Sequence, residues 1–125
     1  MDKAQTIHSF WSSFGWPAYD ELSVPEHEDN EAELPYITYM VILDEFEHPV
    51  YPSASLWTYG TSWSEIEQKA MEISEFIGLG GKLYNIDSGK LWIQRGHPFS
   101  QRISDDNSMV RRIVLNVDME FMSTI

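Results

Sequence analysis

The sequence predicts a single α+β domain, with a mixed or mainly antiparallel sheet and two helices packed on it. The candidate elements follow in the order helix, strands, helix, strands, and both helical segments are amphipathic. The segment near the C-terminus alternates apolar and polar residues, as a strand with one covered face does. A chain of 125 residues, 42% of them hydrophobic, has material for one core and not for a second domain, so residues 1–125 are taken together.

The first helix is predicted over Ala4 to Phe14, where apolar residues recur at i, i+3, i+4 and i+7. Gly15 can supply a left-handed cap, and Pro17 prevents the helix from continuing. Tyr19 to Val24 is ambiguous and is read as a short extended piece, whereas Pro25 to Glu33 reads as an exposed acidic loop. The apolar stripe of this helix consists of Ile7, Phe10, Trp11 and Phe14.

The segment Leu34 to Leu43 is predicted to be a central strand covered on both sides, because it is rich in β-formers and apolar on both faces. Pro35 stands near its start, where a missing amide is tolerated. Asp44 to Pro52 interrupts the pattern with charges and prolines, and Ala54 to Tyr59 resumes a strand. Extended chain is therefore expected between the two helices.

The second helix is predicted from a capping box, since Ser62 and Glu65 have the required spacing, and it should run to about Ile77. Glu65 and Lys69 stand at i and i+4 in the order that favours an ion pair. Residues 78–82 have the composition of a phosphate-binding loop, but they follow a helix instead of preceding one, so we predict that their glycines end the helix. The apolar stripe consists of Trp63, Ile66, Ala70, Ile73 and Ile77.

The C-terminal part is predicted to be mostly strands. Lys82 to Ile86 and Lys90 to Arg95 are joined by a hairpin turn at Asp87-Ser88-Gly89. Gly96 to Ser108 is predicted to be a polar loop, which is long for a compact domain. Val110 to Met122 is predicted to be the last strand. One of its faces is apolar and should be buried, and the other is exposed to solvent or available to a binding partner. Its apolar face consists of Ile113, Leu115, Val117, Met119 and Phe121.

The composition excludes several classes of protein. There is no cysteine, which rules out disulfide frameworks, thiolate zinc sites and cysteine nucleophiles. The N-terminal residues show no basic segment leading into an apolar run, and no stretch approaches the ~18 apolar residues that span a bilayer. The simplest compartment is therefore the cytoplasm of the producing cell.

Net charge is −12 and is unevenly distributed. Residues 1–60 hold eleven acids and one base, a sum of −10, whereas residues 61–125 hold nine acids and seven bases, a sum of −2. Nucleic-acid binding depends on Lys and Arg that neutralise phosphates, and anionic membranes attract basic segments. We therefore expect no specific nucleic-acid binding and no membrane partner. The acids serve solubility, or they form a surface that repels a passing polyanion.

Chemistry-bearing residues form no catalytic or metal-binding motif in the sequence. The four histidines are not paired at i, i+3 or i, i+4. Residues 27–31 are the densest candidate metal group, but adjacent residues of a loop seldom converge on one ion. There is no Gly-x-Ser-x-Gly elbow. The sequence thus predicts no enzyme, no catalytic residues, no metal and no cofactor, and a hydrolase using paired carboxylates is the catalytic alternative.

The strand motif at 34–39 reads Leu-Pro-Tyr-Ile-Thr-Tyr and follows an N-terminal helix and an acidic segment. In this arrangement it resembles small tail-completion proteins of long-tailed bacteriophages. The tail terminators are the most similar family, and the minor capsid or head–tail joining proteins come next. The following strand, the helix from Trp63 to Ile77 and the terminal strands occur in a similar order. The resemblance implies an α+β fold that assembles as a ring, typically a hexamer, without catalytic residues.

The resemblance also implies partners and a location. Such a ring caps the tail tube, stops its polymerisation and joins the tail to the head connector, so the protein would be assembled in the bacterial cytoplasm and reside in the tail or neck of the virion. Because DNA passes through the ring, acids from residues 18–50 are expected to line or border its lumen. The candidate lumen acids are Glu26, Glu28, Asp29, Glu31 and Glu33.

Candidate interface residues fall into two groups. Aromatic side chains outside the helical stripes are candidates for subunit contacts, since Trp and Tyr are enriched in interfaces. Basic side chains are candidates for intersubunit ion pairs in a ring with a heterologous interface. The aromatic candidates are Trp16, Tyr51, Trp57 and Trp92, and the basic candidates are Arg95, Arg102, Arg111 and Arg112. The alternatives are a head–tail connector or minor capsid protein, and a small acidic regulator that binds one partner as a monomer.

Overall fold

The computed structural model describes residues 1–24, 34–42 and 48–123, which form two helices and one sheet of seven strands. The predicted α+β class with a mixed sheet is confirmed. The helices are α1 (Lys3–Ser12) and α2 (Ser64–Ile77). The strands are β1 (Ala18–Asp20), β2 (Tyr36–Tyr39), β3 (Pro49–Val50), β4 (Ser53–Tyr59), β5 (Lys82–Ile86), β6 (Gly89–Ile103) and β7 (Val110–Ser123).

The strand order across the sheet is β1-β2-β4-β7-β6-β5, and the short β3 also pairs with β7. β1 and β2 are parallel, whereas the other pairs are antiparallel. β7 therefore lies in the middle of the sheet, with β4 on one side and β6 on the other. Both helices pack on the same face, because their buried residues join one core with the apolar face of β7.

Helix α1 begins at a capping box. The Asp2 carboxylate accepts a hydrogen bond from the Gln5 amide at 2.8 Å, and the Gln5 side chain accepts one from the Asp2 amide at 3.0 Å. These bonds satisfy amide groups that the first turn of a helix leaves without intrahelical partners. The predicted apolar stripe is confirmed, since its four members are at most 5% exposed. They are Ile7, Phe10, Trp11 and Phe14.

Helix α2 begins later than predicted, and the capping box expected at Ser62 and Glu65 is wrong. The first helical residue is Ser64, and the N-cap residue Trp63 makes no side-chain capping hydrogen bond. The Ser62 hydroxyl instead accepts from the Ser64 amide at 3.1 Å. The Ser62 hydroxyl therefore closes a turn that precedes the helix. Ser62 lies one residue too early in the chain to act as the N-cap, which is Trp63.

The end of α2 lies where the glycines predicted it, with Gly78 as the C-cap at φ 72°. The ion pair predicted between Glu65 and Lys69 is replaced by another. The Lys69 ammonium donates to the Glu72 carboxylate at 3.1 Å and to the Phe14 carbonyl at 2.7 Å. Lys69 thus ties α2 to the segment that follows α1.

Strand β2 is shorter than the predicted span of Leu34 to Leu43. It lies between β1 and β4 as expected, but the predicted cover on both sides is incomplete, because Tyr36 on the face away from the helices is partly exposed. After the strand ends, the Met40 amide still donates to the Ser53 carbonyl at 3.1 Å, and Val41 packs against the core from outside the strand. Residues with high strand propensity thus continue beyond β2, because residues outside the strand, such as Val41, also pack against the core. Leu43 lies outside the described residues.

The polar loop predicted from Gly96 to Ser108 is wrong in its first half, because β6 continues to Ile103. The register with β7 shifts between Arg95 and Ser100. There the four residues 96–99 lie opposite Asn116 alone, whose side-chain amide donates to the Pro98 carbonyl at 3.0 Å. A bulge of this kind accommodates Gly96 and Pro98 within a strand, although Gly and Pro in a sequence usually indicate a loop.

The predicted alternation of β7 is confirmed, since its apolar face is at most 3% exposed and the opposite face is partly exposed. The buried residues oppose apolar residues of the neighbouring strands: Leu56 lies opposite Ile113, and Leu91 lies opposite Phe121. A one-residue slip would bring the polar face into the core, so this pattern fixes the register of the whole sheet.

We expect the substitution Gly89→Ala to lower the free energy of unfolding by about 2 kcal/mol or more. Gly89 begins β6 at φ 155°, and an added Cβ would overlap the Met122 carbonyl oxygen. Gly60 is the matched control, because it has φ 137° but nothing within 4 Å of an added Cβ. Gly60→Ala should therefore cost only the backbone strain, about 1 kcal/mol. Urea unfolding measures both, and equal losses would contradict the assigned backbone contact.

Candidate functional site

The face of the sheet opposite the two helices, called the open face below, carries a row of large side chains. Tyr36, Trp57 and Arg112 occupy directly paired positions across β2, β4 and β7. The ring centroids of Tyr36 and Trp57 are 6.4 Å apart, and the Arg112 guanidinium carbon lies 4.7 Å from the Trp57 ring centroid. All three are partly exposed, and neither α1 nor α2 covers them.

The row is fixed by hydrogen bonds within the sheet. Trp57 Nε1 donates to Thr38 Oγ1 at 3.0 Å, and Arg112 Nε donates to Ser55 Oγ at 3.1 Å. The indole nitrogen of Trp57 and the Nε of Arg112 are thereby engaged, while all three side chains of the row remain partly exposed. A rigid aromatic surface next to an arginine has the composition of an interface anchor. Of the predicted interface residues, Trp57 and Arg112 are brought together here.

The other three candidate arginines lie on the helical side of the sheet. Arg95 donates to Ser74 Oγ at 2.9 Å, and Arg102 donates through Nε to the Glu67 carboxylate at 2.8 Å. Both contacts join β6 to α2. Their predicted role in intersubunit ion pairs stays a prediction, but the structure shows that these side chains already have partners within the chain.

Arg111 is held at the start of α2. It donates to the Ser108 carbonyl at 2.7 Å and to the Thr61 carbonyl at 3.1 Å. Arg102 and Arg111 both stack on Trp63, with guanidinium carbons 4.7 Å and 5.3 Å from the ring centroid. These two cation–π contacts stabilise the uncapped helix start.

The remaining aromatic candidates are dispersed. Tyr51 is 68% exposed and lies between β3 and β4. Trp16 is partly buried, with the Lys69 ammonium 5.3 Å from its ring centroid. Trp92 lies on the open face, and its Nε1 donates to the Gly80 carbonyl at 2.9 Å. The candidates therefore do not form one continuous patch, and Tyr51 is the most solvent-accessible of the four.

Among the described residues, the sheet has two margins at which no further strand is paired. β1 is the outer strand at one end, and β5 is the outer strand at the other end. β5 pairs with only the first part of β6, so β6 residues 100–103 pair with β7 but with no other strand among the described residues. An unpaired strand edge presents amide and carbonyl groups to which another chain can add.

Two surface grooves of about 430 Å³ each adjoin this second margin. The first lies between α2 and β6, and the second lies between the start of α2 and the loop after β6. Arg102 lines both. The lining of the first is mixed. It includes the apolar side chains of Ala70, Met71, Phe99 and Ile113, and polar residues such as Glu67, Ser74 and Gln101. Its open shape and its position at a strand edge suit a protein segment better than an enclosed small molecule.

Sequence reasoning missed a polar contact between α1 and β2. His8 Nδ1 lies 2.7 Å from the Tyr39 hydroxyl, and His8 Nε2 lies 3.2 Å from Ser12 Oγ. The i, i+4 spacing of His8 and Ser12 was a visible signal, but nothing in the sequence linked Tyr39 to that helix. Burial, and then the nearby Asp20 carboxylate, raise the pKa of Tyr39 above its ordinary 10.0.

This raised pKa predicts a loss of stability in alkali. Above pH about 10 the unfolded phenol ionises before the folded one, so the free energy of unfolding should fall as pH rises. Tyr39→Phe should lose about 1 kcal/mol at neutral pH, because the His8 contact disappears, but should show a shallower alkaline decline. Urea unfolding at several pH values measures both effects. Tyr51→Phe is the exposed control, and an identical alkaline slope in wild type and Tyr39→Phe would contradict the assignment.

Comparisons with known proteins give no relative. No family model, curated protein or solved structure matches this chain. The resemblance to phage tail-completion proteins, seen at 34–39, therefore stays a prediction. The surfaces that bear on function are those of this chain alone: the open face, the two sheet margins and the grooves beside β6.

Some predicted features fall on residues that the structure does not describe. The five candidate lumen acids and the candidate metal group at 27–31 all lie within residues 25–33, outside the described residues. Within the described ranges, no cluster of three or more His, Asp or Glu is placed to hold a metal ion. In the same ranges, neither helix has the length and apolar character needed to cross a membrane.

Proposed function

We propose that this chain is a structural tail-completion protein of a long-tailed phage or prophage. It forms a ring, typically of six copies, that caps the tail tube and joins the tail to the head. The proposal rests first on the resemblance at 34–39 and on the order of elements around it. The α+β fold of the chain is of the class that this resemblance implies.

The observation that carries the proposal is the openness of the sheet. Its two margins lie at opposite ends of the strand order, and one face has neither helix on it. A ring is built by a heterologous contact, in which one surface of each subunit meets a different surface of the next. Two distinct margins on one subunit supply such a pair of surfaces.

The charge of the chain fits passage of DNA through the ring. A net charge of −12 repels phosphates, and most of it belongs to residues 1–60, with a sum of −10. We place the acids at 26–33 in or near the lumen, where they would keep DNA from adhering during ejection. This placement is a hypothesis from the sequence.

Deleting the gene from the phage or prophage that carries it tests the proposal. Without a terminator the tail tube lacks its cap, so we expect tails of irregular length that are not joined to heads. Electron microscopy of the lysate shows both features, and supplying the gene from a plasmid should restore normal particles. Tails of normal length joined to heads in the deletion strain would refute the proposed function.

A further inference from the structure

One end of the open face is basic at its centre and apolar at its flanks. Arg112 of β7 lies opposite Trp57 of β4 on one side and opposite Ile103 of β6 on the other. Paired residues of antiparallel strands project from the same face of a sheet, so these three side chains form one row. The Arg112 guanidinium stacks on Trp57, and all three side chains are partly exposed.

The other end of the open face has the same layout with the opposite charge. Glu120 of β7 lies opposite Pro49 of β3 on one side and opposite Trp92 of β6 on the other. Pro49 is exposed, and the other two are partly exposed. Among the described residues, Glu120 forms no hydrogen bond or ion pair. Lys90, two residues before Trp92 on β6, donates instead to the Asn85 side chain at 2.7 Å.

The two rows are related by their positions along β7, since one lies four residues before Asn116 and the other lies four residues after it. β3 and β4 pair with the same edge of β7, because β6 occupies the other edge. A two-fold axis that lies in the plane of the open face and crosses β7 at Asn116 therefore brings each row of one copy onto the unlike row of a second copy. The contacts are then Arg112 on Glu120, Trp57 on Pro49 and Ile103 on Trp92.

Packing of one sheet on another preserves this match. Sheets stack about 10 Å apart, with strand directions within about 30° of each other. Each row lies only about 13 Å from the axis, so the side chains of the two copies stay within reach of one another. An isologous contact requires that residue i meets residue j and that j meets i. The open face meets this requirement in its charged pair and in both apolar pairs, which selects a second copy of this chain as its occupant.

We propose that the open faces of two copies bind each other about a two-fold axis at Asn116. The dimer contains two pairs of Arg112 with Glu120, flanked by apolar contacts that cover Trp57 and Trp92. The contact closes after two copies and uses neither margin of the sheet. It therefore goes beyond the proposed ring, whose head-to-tail contacts involve the margins. The charged pairs fix the register of the two faces and accelerate their encounter.

Charge reversal tests the pairing, with sedimentation velocity as the measure of dimer. R112E and E120R each place like charges at both charged contacts, so each should weaken dimerisation by about tenfold or more. The double variant R112E/E120R restores both contacts within one protein, and an equimolar mixture of the single variants restores them between unlike copies. E75R, a reversal at an exposed position of α2, is the matched control. Failure of both rescues, or an equal loss in E75R, would overturn the contact.

A single cysteine tests the symmetry, because the chain has no cysteine of its own. Ser53 lies opposite Asn116, so the axis places Ser53 near its own counterpart in the second copy. Stacked sheets hold such residues too far apart for a disulfide but within reach of a short bismaleimide. S53C should give about tenfold more covalent dimer than M71C, since docked thiols have a raised effective concentration. Met71 is the control because it is 62% exposed on α2, which lies on the other face.

The tests separate this contact from the proposed function. If wild-type protein forms rings while S53C and M71C cross-link equally, the open-face contact is wrong and the ring stands. If the charge rescues succeed while the gene deletion leaves particles normal, the contact stands and the proposed function fails. A wild-type protein that stays monomeric at every concentration would overturn the contact.

Discussion

Replacing Trp11 with alanine is expected to lower the free energy of unfolding by about 3–5 kcal/mol, which is the usual cost of truncating a buried tryptophan. Trp11 is 1% exposed and belongs to an aromatic cluster centred on Phe10. Its ring meets Phe10 edge-on, with centroids 4.8 Å apart, and Phe14 at 6.4 Å. A loss of this size is a large share of the roughly 5–15 kcal/mol that stabilise a domain.

Urea unfolding followed by far-ultraviolet circular dichroism measures this loss. Trp16→Ala is the matched control, because Trp16 lies five residues further on, is partly exposed and contacts the Lys69 ammonium from the surface. We expect the control to lose about 2 kcal/mol, because Trp16 packs only partly buried against the edge of the core and its truncation also removes the cation–π contact. Similar losses for the two tryptophans would contradict the assignment of α1 to the core.

Neutralising the five candidate lumen acids is expected to make the assembled ring bind DNA. The variant E26Q/E28Q/D29N/E31Q/E33Q removes five negative charges from the −12 of each subunit, which leaves −7. If these acids border the lumen, six copies remove thirty charges from one opening. We expect the affinity for double-stranded DNA at low salt to rise by about tenfold or more, and to fall again as salt is added.

A variant with the same net charge controls for position. E65Q/E72Q/E75Q/D105N/D106N also removes five charges, all from exposed positions on α2 and on the loop after β6. Gel-shift titration of both variants and of wild type should show increased binding in the lumen variant alone. Equal binding by the two variants would mean that total charge matters and that the acids at 26–33 have no special place.

Periodicity in the sequence was sufficient to predict the core. The stripes of α1 and α2 and the alternation of β7 each follow a strict spacing, and burial of one face is what that spacing selects. Trp63 is the exception in the α2 stripe, because it lies before the helix and is only partly buried. The hairpin predicted at Asp87-Ser88-Gly89 is present, but its turn is one residue shorter, because Gly89 already pairs with Ile86 as the first residue of β6. In these segments local preference and global fold agree.

The misses have a common physical cause, which is that tertiary contacts override local signals. The cap predicted at Ser62 is not used, because Trp63 is held by Arg102 and Arg111 and the helix starts after it. The continuation of β6 past Pro98 depends on a bulge opposite Asn116, which lies on another strand. Neither contact can be read from neighbouring residues in the chain.

The candidate site was predictable in its residue types and not in its arrangement. Trp57 and Arg112 were both expected at interfaces, but only the register of β4 with β7 places them in one row with Tyr36. The grooves beside β6 were not predicted, because they depend on the continuation of β6 to Ile103, a segment that the sequence predicted to be a loop.

The mass of the purified protein in solution, measured from low to high concentration, tests most directly whether this chain works by packing against copies of itself. Native mass spectrometry or analytical ultracentrifugation gives the answer without knowledge of any partner. We predict that the 14.5 kDa subunit converts with concentration into larger assemblies of defined size, with six copies as the closed form. A strict monomer at every concentration would contradict the account and would favour a regulator that binds a single different protein.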